Sequence, residues 1–580
     1  MIFNFEQADL IGTVRAVDTR KVSIMVGDEQ DLRKAKVGHF AALNLSGASD
    51  DWLIGIIERV IKSIGYQDEP DKEQINDDDN DIDETDEEPN KVINTVLITL
   101  VGTVRWNVIE KNYQFSRSIV QVPEISAKCY ILQYKQLENF MNLLVQESDQ
   151  DHSLELGKYS IDDTAVAYLD GNKLFQRHAA LLGSTGSGKS FTVASILERA
   201  AKLPTANIIV FDLHGEYKEL SYARHLRIPG PDELGAARED LLFLPYWLLN
   251  AEEMQAMFID RSEFSAHNQV MVFQDAVVEQ KKATLSMLDK DDVLAAFTLD
   301  SPIPFSIGNV INTLTDLNQE MEQGARGLKQ GKFFGQFSRL LVRIKSRLSD
   351  NRYGFLFQAP ASEHQYESMA QIAAKLMDYN LPQSQIKVVD FSEVPADVLP
   401  VIVGLVARMV YQIQFWTDHD KRRPLAFICD EAHLYLPKKE GQNPIERRAV
   451  EAFEKIAKEG RKYGVALFIV SQRPSDVSPT ILSQCNNIIA LRLSNADDQN
   501  TVKKLMPESM GNLLDILPIM DIGEALVVGD AVLLPSRIRV NLPSEEPVSA
   551  TVDFWSEWLK KAEDPDFEKA VENMRRQGRR

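Results

Sequence analysis

The octapeptide GSTGSGKS, Gly183 to Ser190, constrains this chain more than any other stretch. It follows the apolar run AALL and leads into FTVASILERAA, whose apolar residues recur at helical spacing. The pattern G-x-x-x-x-G-K-[ST] between a buried strand and a helix is a phosphate-binding loop. Its glycines let backbone N–H groups turn inward, and the helix N-terminus adds partial positive charge. On this reading Gly183, Ser184, Thr185, Gly186, Ser187, Gly188, Lys189, Ser190 and Phe191 surround a nucleotide. Lys189 reaches the β- and γ-phosphates and Ser190 ligates Mg²⁺, so the cofactors implied are ATP and Mg²⁺. The alternative, a glycine-rich turn without nucleotide, does not account for the strand before it and the helix after it.

From about residue 156 the chain repeats the same texture. HAALLG, NIIVFDL, IKVVDFS, LAFICDE, ALFIVSQ and NIIALRL are short, nearly all apolar and each followed by a helical pattern. Parallel strands buried on both faces read this way, so the expected class is α/β with a mostly parallel sheet over 156–545. Between Ala251 and Met377 the pattern is helical and strand-poor, which predicts a helical subdomain inserted between two halves of the sheet. Residues 1–155 alternate in short β-branched runs and predict a small barrel or sandwich. Within them Gln67–Asn90 is crowded with Asp and Glu; it reads as a solvated hairpin loop, with an acidic gate or DNA mimic near a pore as the alternative. The tail 546–580 ends basic, with Arg575, Arg576, Arg579 and Arg580, and predicts a fraying helix.

Charge narrows the function. With 64 basic and 86 acidic residues the net charge is −22, which excludes a surface coated for nucleic-acid binding. Any grip on DNA must come from a local basic patch such as a pore lining. The cysteines, Cys129, Cys429 and Cys485, are far apart and form no C-x-x-C pair, so neither a disulfide framework nor a zinc site is expected. No basic-then-apolar leader opens the sequence, and the apolar stretch Val398–Ile413 is interrupted by Arg408 and short for a bilayer. The expectation is a cytoplasmic protein with no membrane partner.

Further motifs carry chemistry. In LAFICDEAH a buried strand ends at Asp430 and Glu431; Asp430 is placed to hold Mg²⁺ and Glu431 to act as general base on water. The alternative is an acidic helix start with Asp430 as N-cap. Gln472 in ALFIVSQRPSDVS follows another strand, where a neutral amide touches a γ-phosphate or lytic water, or simply satisfies a turn. Arg461 in AKEGRKYG is either an arginine finger or a helix-end arginine. Asp212, His214 and Glu216 of VFDLHGEY tune the site or meet a neighbouring subunit; the lone His reads as structural. Arg339, Arg343 and Arg347, with Lys345 nearby, share a helical face that contacts a DNA backbone or pairs with acidic residues of the chain.

RHAALLGSTGSGKS, VFDLHGEY, ICDEAH, EGRKYGVALFIVSQRPSDVSPTILSQCNN and ALRLSNADD, in this order, resemble the HerA family of the HerA–FtsK superfamily, and LIGTV, GIIERV and LVGTVR resemble the small β-barrel before its motor. The resemblance implies a RecA-like P-loop NTPase core that forms a homohexameric ring around double-stranded DNA and hydrolyses ATP between subunits. It implies that Arg461 acts in trans and Gln472 as sensor, and it adds Arg177 as an arginine near the nucleotide; Arg492 in ALRL gains no role. It also implies an effector, a nuclease or a sirtuin-like NADase of anti-phage defence, docking at the N-terminal barrel. The acidic stretch at Gln67–Asn90 departs from the compact barrel of the family.

Overall fold

The computed structural model describes residues 2–45, 51–65, 91–147, 153–160, 162–236, 238–324, 327–380, 382–383, 385–438, 444–506, 508–548, 553–560 and 566–577. The acidic stretch Gln67–Asn90 lies outside them. The chain forms two compact units: one of residues 1–171, 506–520 and 524–540, the other of 172–505, 521–523 and 541–580.

In the first unit, β1 (Leu10–Asp18), β2 (Lys21–Val26), β3 (Phe40–Asn44), β4 (Trp52–Gly65), β5 (Lys91–Asn107), β6 (Asn112–Ser116) and β7 (Lys128–Ile131) form one antiparallel sheet in the order β2-β1-β7-β3-β4-β5-β6. A further β2–β5 pairing closes six of these strands into a barrel, which is the predicted N-terminal barrel. Alternation along the strands sorts the side chains. Ala41, Leu43, Leu53 and Ile57 fill one core together with Ile11, Val22, Ile24, Val96 and Ile98. Their neighbours Phe40, Ala42, Ile54 and Ile56 pack instead with Leu137, Phe140 and Met141 of the helix Tyr134–Glu147. Gly12 sits where β1 crosses closest to β2; a Cβ there would lie 2.2 Å from the Met25 carbonyl oxygen. β8 (Ser153–Tyr159) and β9 (Asp162–Asp170) continue the unit to Gly171, past residue 155, because β8 pairs on its other edge with β20 (Ser536–Val540), which pairs with β19 (Glu524–Val528).

In the second unit, β10 (Ala179–Leu182), β11 (Ile208–Asp212), β12 (Arg224–Arg227), β15 (Ile386–Asp390), β16 (Leu425–Cys429), β17 (Val465–Ser471) and β18 (Asn487–Ala490) form a parallel array in the order β12-β15-β11-β16-β17-β10-β18. The central strands are buried along their whole length, as their unbroken apolar runs require. The chain is α/β with a RecA-like P-loop NTPase core, as expected.

The stretch from Ala251 to Met377 holds the helices Ala251–Phe258, Ala266–Met287, Ile307–Gln319, Ser338–Ser349 and Ser368–Met377, with one short hairpin, β13 (Met321–Gly324) and β14 (Gly327–Gln330). Among the described residues one helix, Leu399–Trp416, is long and apolar enough to cross a membrane, and 67% of it is buried inside the protein. Arg408 interrupts it for a reason of packing: its guanidinium forks onto Glu253 at 2.8 and 2.7 Å and donates to the Leu248 carbonyl at 2.9 Å. After residue 541 the chain runs along the second unit and ends in the exposed helices Phe554–Leu559 and Phe567–Arg576.

Candidate nucleotide-hydrolysis site

The glycine-rich loop leaves the carboxyl end of β10, between β17 and β18. Both neighbours hold its first residues: Gly183 N donates to Ser471 O at 3.2 Å and Ser184 N to Arg492 O at 2.8 Å. Gly186 and Gly188 take φ of 71° and 104°, backbone that side chains disfavour. Gly188 then caps the helix Lys189–Ala200, whose N-terminal amides face the loop. Lys189 is buried, and its ammonium donates to Ser184 O of the loop at 3.3 Å. Burial lowers the Lys189 pKa, opposed by the nearby Glu431, Asp430 and Glu216.

Two strands away, β16 ends beside this loop and delivers Asp430 and Glu431. Asp430 is buried; Oδ1 accepts from Glu431 N at 2.9 Å and Oδ2 from the Tyr217 hydroxyl at 3.1 Å. Burial, reinforced by Glu431 and Glu216, pushes its carboxyl up to about 8. Glu431 takes a left-handed backbone, φ 45° and ψ 42°, a conformation that costs a non-glycine residue about 1–3 kcal/mol and clusters at functional sites. Its Oε2 is buried without a hydrogen-bond partner and lies 3.3 Å from His433 Nδ1. Burial alone would raise this carboxyl, but His433, Lys189 and His214 hold it below its ordinary value, in its ionised form.

Gln472 follows β17, and its Oε1 accepts from the Thr185 hydroxyl of the loop. Asp212, at the end of β11, organises a turn: its carboxylate accepts from the backbone N–H of His214, Gly215, Glu216 and Tyr217 at 2.8–3.2 Å. Lys189, Asp430, Glu431, Thr185 and Gln472 are therefore gathered at one edge of the sheet, with Ser190 and Phe191 in the first turn of the helix behind the loop.

Two arginines are not gathered there. Arg177 precedes β10 and Arg461 precedes β17, so both stand at the amino ends of strands whose carboxyl ends carry the site, and both are exposed. Between them His178 is locked: Nδ1 accepts from Leu467 N at 2.9 Å and Nε2 faces Ala457 O at 3.1 Å. Burial, with a contribution from Arg461, pulls its pKa down to about 4, so it is a neutral structural residue. Arg492 serves the loop through its backbone carbonyl. Of the basic helical face, Arg343 pairs with Glu263 at 2.6 Å and Arg347 with Asp397 at 2.8 Å, which realises the pairing reading for both. Sequence reasoning quoted Tyr217 inside VFDLHGEY without a role and passed over His433. Only the meeting of β11 and β16 brings Tyr217 to Asp430.

The residues present suit a hard divalent cation. Ser190 and Asp430 offer oxygen donors, and Asp430 is buried beside the carboxylates of Glu431 and Glu216, which a bound cation would offset. Among the described residues no group of three or more His, Cys, Asp or Glu could hold a metal unaided. Mg²⁺ is commonly held by one or two protein oxygens and completed by substrate phosphates, so Ser190 and Asp430 would suffice as its protein donors.

A phosphate loop at the carboxyl end of one parallel strand, with an Asp–Glu pair at the end of another two strands away, defines a P-loop NTPase. Residues 154–410 match the family model described as Helicase HerA, central domain, and residues 400–538 that of Helicase HerA-like C-terminal. The chain belongs to the HerA family and is an ATPase. It is 25% identical over 428 residues to the DNA double-strand break repair helicase HerA of Pyrococcus furiosus, covering 68% of this chain and 71% of that one. It is 23% identical over 390 residues to the protein of the same description from Saccharolobus solfataricus, covering 67% and 68%. Among solved structures, VirB4 of Thermoanaerobacter pseudethanolicus aligns with a TM-score of 0.44 at 17% identity, covering 68% of this chain and 98% of that one.

Proposed function

We propose that this chain is a hexameric ring ATPase that translocates on double-stranded DNA with ATP and Mg²⁺, and that it works with a nuclease or sirtuin-like effector docked at the N-terminal barrel, in anti-phage defence or DNA-end processing. One observation carries the reading. The phosphate loop, the Asp–Glu pair and Gln472 are assembled within one chain, while Arg461 and Arg177 stand exposed at the opposite edge of the same sheet. With Arg461 at the far end of the strands from the phosphate loop, a second copy would complete the site, and a closed ring would supply one to every site.

The chemistry follows from the chain's own groups. The loop amides and Lys189 hold the phosphates; Ser190 and Asp430 would hold Mg²⁺, which would supply neutralisation of the phosphates' negative charge. Glu431, ionised and fixed by its strained backbone, orients water and takes its proton. Gln472, joined to Thr185, registers whether the γ-phosphate is present and passes the change to β17. Arg461 of the adjacent copy stabilises the charge that develops on the transferred phosphoryl group.

A second reading, a ring ATPase that scaffolds and regulates its effector with little translocation, is favoured by the net charge of −22 and by the pairing of Arg343 and Arg347 within the fold. Steady-state ATPase activity with and without linear duplex DNA, with Glu431→Ala as blank, separates the two. Strong stimulation by duplex supports translocation. Turnover indifferent to DNA overturns it in favour of the scaffold.

A further inference from the structure

Tyr217 is fully buried, and its hydroxyl is its only polar side-chain atom. That hydroxyl ends at 3.1 Å from Asp430 Oδ2. A carboxylate turns easily about its last torsion, so a donor on one oxygen and another on the other together fix its plane. Here Glu431 N supplies one and Tyr217 the other. Tyr217 is itself held from both sides. Its N–H donates to Asp212 Oδ2 at 3.0 Å, and the preceding residue is tied to the C-terminal strap, where Val548 N donates to Glu216 O at 2.8 Å. The same strap accepts the Ser221 backbone N–H on Glu545 and reaches Glu198 of the phosphate-loop helix through Ser544 N at 2.7 Å.

We infer that Tyr217 is a positioning residue for the cation of this site: its hydroxyl sets the orientation in which Asp430 meets Mg²⁺, and it ties that orientation to the C-terminal strap 541–548. This rests on the assignment of Asp430 to Mg²⁺ given above. Its hydroxyl is engaged on Asp430, so it acts through that carboxylate, as groups behind first ligands do.

A second buried tyrosine provides the control. Tyr435 donates to the Asp430 backbone carbonyl at 3.0 Å and does not hold its carboxylate. Removing either hydroxyl takes one oxygen from the same core, but only one of them orients the ligand. The experiment is a fluorescent-ATP titration of the full-length protein in EDTA and across a Mg²⁺ series, with Mn²⁺ binding by electron paramagnetic resonance in the presence of ADP, for wild type, Tyr217→Phe and Tyr435→Phe. Tyr217→Phe is expected to bind ATP in EDTA as wild type does, to need about tenfold more Mg²⁺ for half-maximal tightening, and to bind Mn²⁺ correspondingly weaker. Tyr435→Phe is expected to keep the wild-type metal response. A Tyr217→Phe metal response equal to wild type, or equal shifts in both variants, overturns the inference. A wild type whose ATP binding ignores Mg²⁺ overturns the assignment of Asp430 to Mg²⁺ as well.

Discussion

The two ends of the parallel sheet are built on opposite plans. At the carboxyl ends of β10, β16 and β17 the polar groups are buried, mutually bonded and in places strained: Lys189 on its own loop, Asp430 between two donors, Glu431 in left-handed backbone. At the amino ends of β10 and β17, Arg177 and Arg461 are exposed around a neutral, fully bonded His178. A site preorganised within one chain saves reorganisation during the reaction. An exposed cation at the far edge is accessible to a second copy, as the proposed ring requires. In the proposed ring these two ends would be two half-sites, and the first variants below are ways to pull them apart.

The largest effect is expected at the exposed edge. Arg461→Ala should lower ATP turnover by about 10³-fold or more while leaving ATP affinity nearly intact, since an arginine finger contributes about 10³–10⁵ in rate. Mixing it with Glu431→Ala subunits should restore part of the activity, because a mixed interface pairs an intact Glu431 with an intact Arg461. Absence of recovery across all mixing ratios would leave the two edges unconnected and break the comparison.

The next effect belongs to the buried edge. Glu431→Gln keeps shape and loses the base, so single-turnover hydrolysis should slow by about 10²–10⁴-fold with ATP still bound. A variant that turns over near the wild-type rate would remove Glu431 from its role and leave the strained backbone there without a function.

These two edges were unequally legible before folding. The loop and the Asp–Glu pair announce themselves because phosphate binding demands glycines and a lysine at fixed spacing, and because a buried strand reads as an unbroken apolar run up to its functional end. Tyr217 lies 213 positions from Asp430, and nothing local marks its hydroxyl. Arg343 and Arg347 look alike on a helical face, but their partners, Glu263 and Asp397, come from 80 and 50 positions away. Alternation alone read as a barrel or a sandwich and the family resemblance selected the barrel, whereas the addition of residues 524–540 to the first unit depends on the β8–β20 register. Spacing within one element is written locally; pairing between elements is written in the packing.

A smaller effect tests how firmly the helical stretch is joined to the sheet. Arg408→Leu suits an apolar helix by composition, yet it strands Glu253, whose side chain is 6% exposed. Removing one partner of such a pair should cost about 3 kcal/mol in urea unfolding, and Glu253→Leu on top of it should return part of the loss. Additive losses in the two single variants would mean that the pair is not a unit.

The last effect distinguishes cations at the amino edge from one another. Lys387, near the start of β15, is fully buried, and its ammonium donates to Asn207 just before β11. Burial lowers its pKa to about 7, against an ordinary lysine in the unfolded chain. The unfolded state therefore binds the extra proton between these values. The stability penalty is full below about pH 7 and fades as pH rises toward the ordinary lysine range. Lys387→Met should abolish this term, so its stability advantage over wild type, followed by chemical unfolding, should shrink steadily from pH 7 to pH 10. A difference independent of pH would place the Lys387 charge in contact with solvent and make it one more exposed cation of that edge. A shrinking difference makes Arg461 stand out further, as a cation kept at the surface of an edge that buries others.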